Sequence, residues 1–103
     1  MGAQNTTTID FGAFPGKTDA TVAVTGQASI LAGSLVEAWI FPTATADHSA
    51  DEHWVDPPIV IAGNVVAGTG FTIYATANIY DADNKYASSP RVYGKWTVAW
   101  VWN

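Results

Sequence analysis

The sequence contains no cysteine, so neither a disulfide framework nor a thiolate metal site is open to it. Cations are nearly as scarce. Lys17, Lys85, Arg91 and Lys95 are the only four, against nine acidic residues, for a net charge of −5. Four scattered positive side chains cannot build a phosphate-binding stripe or grip an anionic bilayer, so neither nucleic acid nor membrane is expected as a partner. No apolar run approaches the ~18 residues that a spanning helix needs. The opening MGAQNTTTIDFG has no basic segment and no apolar one, which argues against a secretory signal. Catalytic signatures are missing as well: there is no thiol, no serine in a nucleophile elbow, and no Gly-rich loop between a strand and a helix. The expectation is a non-enzymatic protein that carries no cofactor.

What the chain has in quantity is large rings. Charged residues and aromatics each make up 13% of its 103 residues, and five of the aromatics are Trp. The length suits a single domain over residues 1–103. A small domain has much surface to cover, so few charges and many rings suggest that another copy of the chain covers part of it.

Alternation, rather than helical periodicity, organises those apolar residues. ATVAVT (20–25) sets Val22 and Val24 against Thr21 and Thr25. SLVEAWIFP (34–42) sets Leu35, Glu37, Trp39 and Phe41 against Val36, Ala38 and Ile40, so both faces are largely apolar. PIVIAGNVV (58–66) is a β-branched run, and GFTIYATA (70–77) alternates again. The closing RVYGKWTVAW places Val92, Trp96, Val98, Trp100 and Trp102 on one face, with Tyr93, Lys95, Thr97, Ala99 and Val101 on the other. Period two with β-branched and aromatic residues is the strand pattern. TGQ (25–27), AGS (32–34), VAGTG (66–70) and DADNK (81–85) supply turns, and PGKTD (15–19) a loop. These features predict an all-β antiparallel sandwich of six or seven strands with one short helical turn. The terminal WVWN must be held in place, either at the centre of a sheet or under another chain.

The one dense polar stretch is TADHSADEHW (45–54). His48, Asp51 and His53 are the residues a metal would use, with Asp47 and Glu52 nearby. The two histidines are five apart, however, which on a helix separates them by roughly 140°. Neither HExxH nor an EF-hand loop is present, so no metal is expected. Ser49-Ala50-Asp51-Glu52 instead fits a capping box, with acidic residues in a first turn and Pro57-Pro58 ending it. On this reading Trp54 packs the turn down, the histidines are exposed, and the loop projects from one end of the sandwich. Trp39, Phe41, Trp54, Trp96, Trp100 and Trp102 are the candidates for core or interface.

Several segments carry a resemblance. IDFGAFPG (9–16), AVTGQ (23–27), VEAWIFPTATADHSADEH (36–53), AGNVVAGTGFTIYA (62–75) and YGKWTVAWVWN (93–103) together resemble a family of small proteins encoded in tailed-bacteriophage genomes. The resemblance implies a virion structural protein, assembled in the host cytoplasm, that docks on the particle as a capsid decoration or a tail- or fibre-associated part. Its partners would be copies of itself and other virion proteins. No catalytic or metal residue comes with it. A looser likeness concerns fold: GFTIYA, a loop, then WTVAWVW is similar to the end of H-type lectin domains, six-stranded sandwiches that form trimers and bind N-acetylgalactosamine-type sugars. Their cysteines are absent here, and no sugar-contacting residue aligns. That likeness implies a trimer and frames the rival reading, a lectin-like module recognising host-surface glycans. Its contact loop would use Asp47, His48, Asp51 and Trp54, with Trp54, Tyr80 or Tyr86 as the stacking ring.

Overall fold

The computed structural model describes residues 2–77 and 91–103. The turn expected at Asp81–Lys85, and Tyr80 and Tyr86, lie outside the described residues. Six strands and one helix follow in the order β1 (Ala3–Asp10), β2 (Asp19–Val24), β3 (Val36–Ile40), α1 (Ala50–Val55), β4 (Ile59–Val66), β5 (Gly70–Thr76) and β6 (Lys95–Trp102). They form two three-stranded antiparallel sheets, β1-β6-β3 and β2-β5-β4, packed together as an all-β sandwich.

The period-two pattern explains what fills the space between the sheets. From β6 come Trp96, Val98, Trp100 and Trp102, flanked by Ile9 of β1 and Ala38 of β3. The other sheet contributes Val24, Phe71, Ile73 and Ala75. Phe71 and Trp100 meet edge to face across the gap, with ring centroids 5.5 Å apart, an arrangement in which ring edge and ring face attract. Buried ring N–H groups find acceptors: Trp102 Nε1 donates to Gln27 Oε1 at 2.9 Å and Trp96 Nε1 to the Tyr93 carbonyl at 3.2 Å.

The WVWN terminus is held because β6 is the central strand of its sheet. Centrality also buries Thr97 and Ala99, which the alternation had placed on an outer face. The VAGTG segment is the β4–β5 hairpin turn, closed by the Thr69 amide on the Val66 carbonyl with Gly68 at φ 77°. β4 is irregular where the sequence reads Gly63-Asn64: the register shifts between Gly63 and Val66, and Asn64 takes φ 53°, as a bulge allows.

β1 is a strand that apolar alternation does not reveal. AQNTTTID has only Ala3 and Ile9 packed inward at its ends, and Gln4, Thr6 and Thr8 face solvent. β-branched threonines suit a strand that pairs on one side only.

Candidate functional site

The TADHSADEHW stretch does not project from the sandwich. β3 stops pairing with β6 at Ile40↔Val98, and one more ladder bond joins the Phe41 amide to the Thr97 carbonyl. Beyond it β6 continues to Lys95 with its β3-side backbone groups unpaired by any strand. The loop and α1 fill that gap with side chains. Asp47 Oδ2 accepts the Lys95 amide at 2.8 Å, and Thr45 Oγ1 donates to the Lys95 carbonyl at 2.7 Å. His53 Nε2 accepts the Thr97 amide at 2.9 Å, and His48 Nε2 donates to the Tyr93 carbonyl at 2.6 Å. Thr97 Oγ1 in turn donates to the Thr43 carbonyl at 2.9 Å. Four side chains thus do the work of a missing strand segment, and the edge of β6 is closed.

The capping box supports this arrangement from within the loop. Ser49 Oγ accepts the Glu52 amide, and Glu52 Oε1 accepts the Ser49 amide at 2.9 Å. Both halves of the S-x-x-E reading are therefore present. The other Glu52 oxygen, Oε2, lies 3.0 Å from His48 Nδ1, so one carboxylate caps the helix and fixes the ring. The hydrogen bond from His48, then that from the Ser49 amide, holds the Glu52 carboxyl below its usual range.

The partners of the two rings fix their protons. A carbonyl oxygen only accepts, so His48 Nε2 carries a proton toward Tyr93, and Nδ1 faces the Glu52 carboxylate. The His48 ring stacks on Trp96 with centroids 3.9 Å apart at 23°. His53 is the opposite case. Its Nε2 accepts an amide proton while Nδ1 donates to the Ser49 carbonyl at 2.7 Å, so this ring is neutral with its proton on Nδ1.

Both histidines, expected on the surface, are buried, with 4% of His48 and 1% of His53 exposed. The reason is that each has two partners waiting on a strand end that would otherwise be bare. All four ring nitrogens are engaged, which leaves no lone pair for a metal; among the described residues no group of His, Asp and Glu has the arrangement to hold one. Asp47 is likewise committed to Lys95, packed where Gly94 (φ 77°) leaves room: a Cβ on Gly94 would lie 2.6 Å from that of Asp47. Asp51 and Trp54 remain outside. Trp54 does not pack the turn down; it is 77% exposed, because His53 rather than its neighbour faces the sheet. Thr45, Tyr93, Gly94 and Thr97 completed the cluster without being singled out in the sequence. For Tyr93 and Gly94 the YGKW spacing was the only signal, a glycine interrupting an otherwise bulky segment.

The remaining candidates divide by face. Trp96, Trp100 and Trp102 are core. Trp39 and Phe41 are each 43% exposed and Leu35 is 78% exposed, all on the outer face of β3. On the opposite sheet Ile59, Ile61 and Tyr74 stand outward beside Asp19 and Thr21, lining a shallow trough of about 220 Å³. No helix among the described residues is long and apolar enough to cross a membrane. No family model, curated protein or solved structure matches the chain.

Proposed function

We propose that the chain is a non-enzymatic structural protein of a tailed-bacteriophage particle, self-assembling and docking on the particle surface as a capsid decoration or a tail- or fibre-associated part. The observation that carries this reading is the distribution of its side chains. Among the described residues, Asp47, His48, Glu52 and His53 are engaged in internal hydrogen bonds, while Leu35, Trp39 and Phe41 on one sheet and Ile59, Ile61 and Tyr74 on the other face outward. Chemistry that faces inward and apolar surface that faces outward suit a protein whose work is contact. The resemblance of five ordered segments to small phage-encoded proteins supports the same reading. The test is localisation: gold-labelled antibody against the chain should decorate purified phage particles, on the shell or the tail. Label confined to unassembled material would overturn the proposal.

One observation favours the glycan-binding reading as its rival. Trp54 presents an open ring one helical turn along α1 from the exposed Asp51, and a ring and a carboxylate are what meet a sugar face and its hydroxyls. Saturable binding on a glycan array, abolished by Trp54→Ala, would establish it. His48 and Asp47, buried or committed as they are, would not take part.

A further inference from the structure

The outer face of the β1-β6-β3 sheet can be laid out from its register. Moving along β6, Lys95 stands opposite Asp10; Thr97 lies between Thr8 and the Phe41 ladder bond; Ala99 lies between Thr6 and Trp39; Val101 lies between Gln4 and Glu37. The β1 side is polar and the β3 side is apolar. Thr97 and Ala99 are small and buried under their neighbours, so Trp39 and Phe41 form a ridge over them. Glu37 lies at one end of this ridge and Lys95 at the other. Lys95 lies six positions along β6 from Val101, the residue paired with Glu37, which is about 20 Å along the strand. Trp39 and Phe41 sit halfway.

We propose that this face packs on the same face of a second copy about a two-fold axis running across the strands between Trp39 and Phe41. This deepens the self-assembly put forward above and rests on it. An axis at that point exchanges the two ends of the ridge, so Trp39 of each copy meets Phe41 of the other, and Glu37 of each meets Lys95 of the other. The contact is isologous: what one copy presents, the other receives. Two chains of net charge −5 repel one another, so like chains meet best where each sets a cation against an anion of the other. This face does so twice. Glu37 and Lys95 are exposed, and the only ion pair among the described residues is that of His48 with Glu52. Asp10, across from Lys95, turns its Oδ1 back to the Gly12 amide at 2.8 Å. Asp47 bonds the Lys95 backbone amide, not its ammonium group. Face-to-face sheets commonly cross by about 30°, which such an axis accommodates.

The experiment is sedimentation equilibrium of the full chain, of Glu37→Lys, of Lys95→Glu, and of the double charge swap, with circular dichroism to establish that each is folded. A dimer is expected, weakened about tenfold by either reversal and returned to within about threefold by the swap. An oligomer indifferent to both single reversals, or a trimer, would overturn the two-fold contact and leave self-assembly standing. A monomer at every concentration would overturn both.

Discussion

Nε2 of His53 accepts the backbone amide of Thr97, 44 residues further along the chain, at 2.9 Å. The bond takes the place of a ladder bond that β3 would have supplied had it run one pair further. Removing the acceptor strands a buried amide, which costs about 1–3 kcal/mol beyond the packing lost. His53→Phe, which keeps a ring of similar size, is therefore expected to destabilise the protein by about 2 kcal/mol in urea unfolding. His53→Ala adds a cavity and should cost more, about 3–4 kcal/mol. An unchanged midpoint for His53→Phe would mean that the ring only fills space.

The two histidines should also differ spectroscopically. Their centroids are 6.5 Å apart, yet His48 faces two acceptors and His53 faces one acceptor and one donor. Long-range ¹H–¹⁵N correlation should report the His48 Nε2 as protonated, the proton that the Tyr93 carbonyl accepts. His53 should show a protonated Nδ1 and an unprotonated Nε2, the less common neutral tautomer. Two identical average spectra would contradict the assignment of their partners.

These two residues mark the limit of what the sequence discloses. The alternation in β2, β3, β5 and β6 announced strands because each must bury one face against the opposite sheet. The S-x-x-E signature announced the start of α1 because a capping box is local in the chain. The fate of the histidines was not local. It depended on β3 ending before β6 does, and on Tyr93 and Thr97 offering backbone groups that nothing else pairs. A cluster of polar residues reads as a site until the strand edge that it completes is known. β1 was hidden for a related reason: AQNTTTID needs no apolar face where one strand partner and two inward residues suffice.

Glu52 gives the cluster a pH dependence whose sign follows from its bonds. Its folded-state pKa is lowered, chiefly by the bond from His48, so the folded state binds this proton less readily than the unfolded chain. The stabilisation is present above the ordinary value of 4.5 and is lost as pH falls through the lower folded value. Glu52→Gln should thus have a lower urea midpoint than the parent chain at about pH 6, and the difference should shrink toward about pH 3. A difference that grew in acid would reverse the assigned sign.

Trp96 and Trp54 are opposite in burial, one core and one exposed, and their replacements should separate accordingly. Trp96 is buried under the His48 ring and packs edge-on to His53. Trp96→Ala should cost about 3–5 kcal/mol and release the loop from the strand, seen as rapid amide exchange at Lys95 and Thr97. Trp54→Ala should leave the urea midpoint within about 0.5 kcal/mol of the parent, since an outward ring has little packing to lose.

Gly94 tests whether the loop is fastened or merely adjacent. Its φ of 77° lies in the left-handed region, and a methyl group there would press on Asp47 Cβ and on Cγ at 2.8 Å. Gly94→Ala therefore combines backbone strain with expulsion of Asp47 from the Lys95 amide, for a loss of about 2–4 kcal/mol. Asp47→Ala removes the crowded Cγ and Oδ2 but keeps Cβ, gives up the same bond and frees the loop to shift; alone it should cost about 1–2 kcal/mol. Because the two changes act on one contact, Gly94→Ala in the Asp47→Ala background should cost less than it does in the parent chain, and a double-mutant cycle would read the difference directly. Strict additivity would show that the methyl group is resisted without displacing the Asp47 carboxylate from the Lys95 amide.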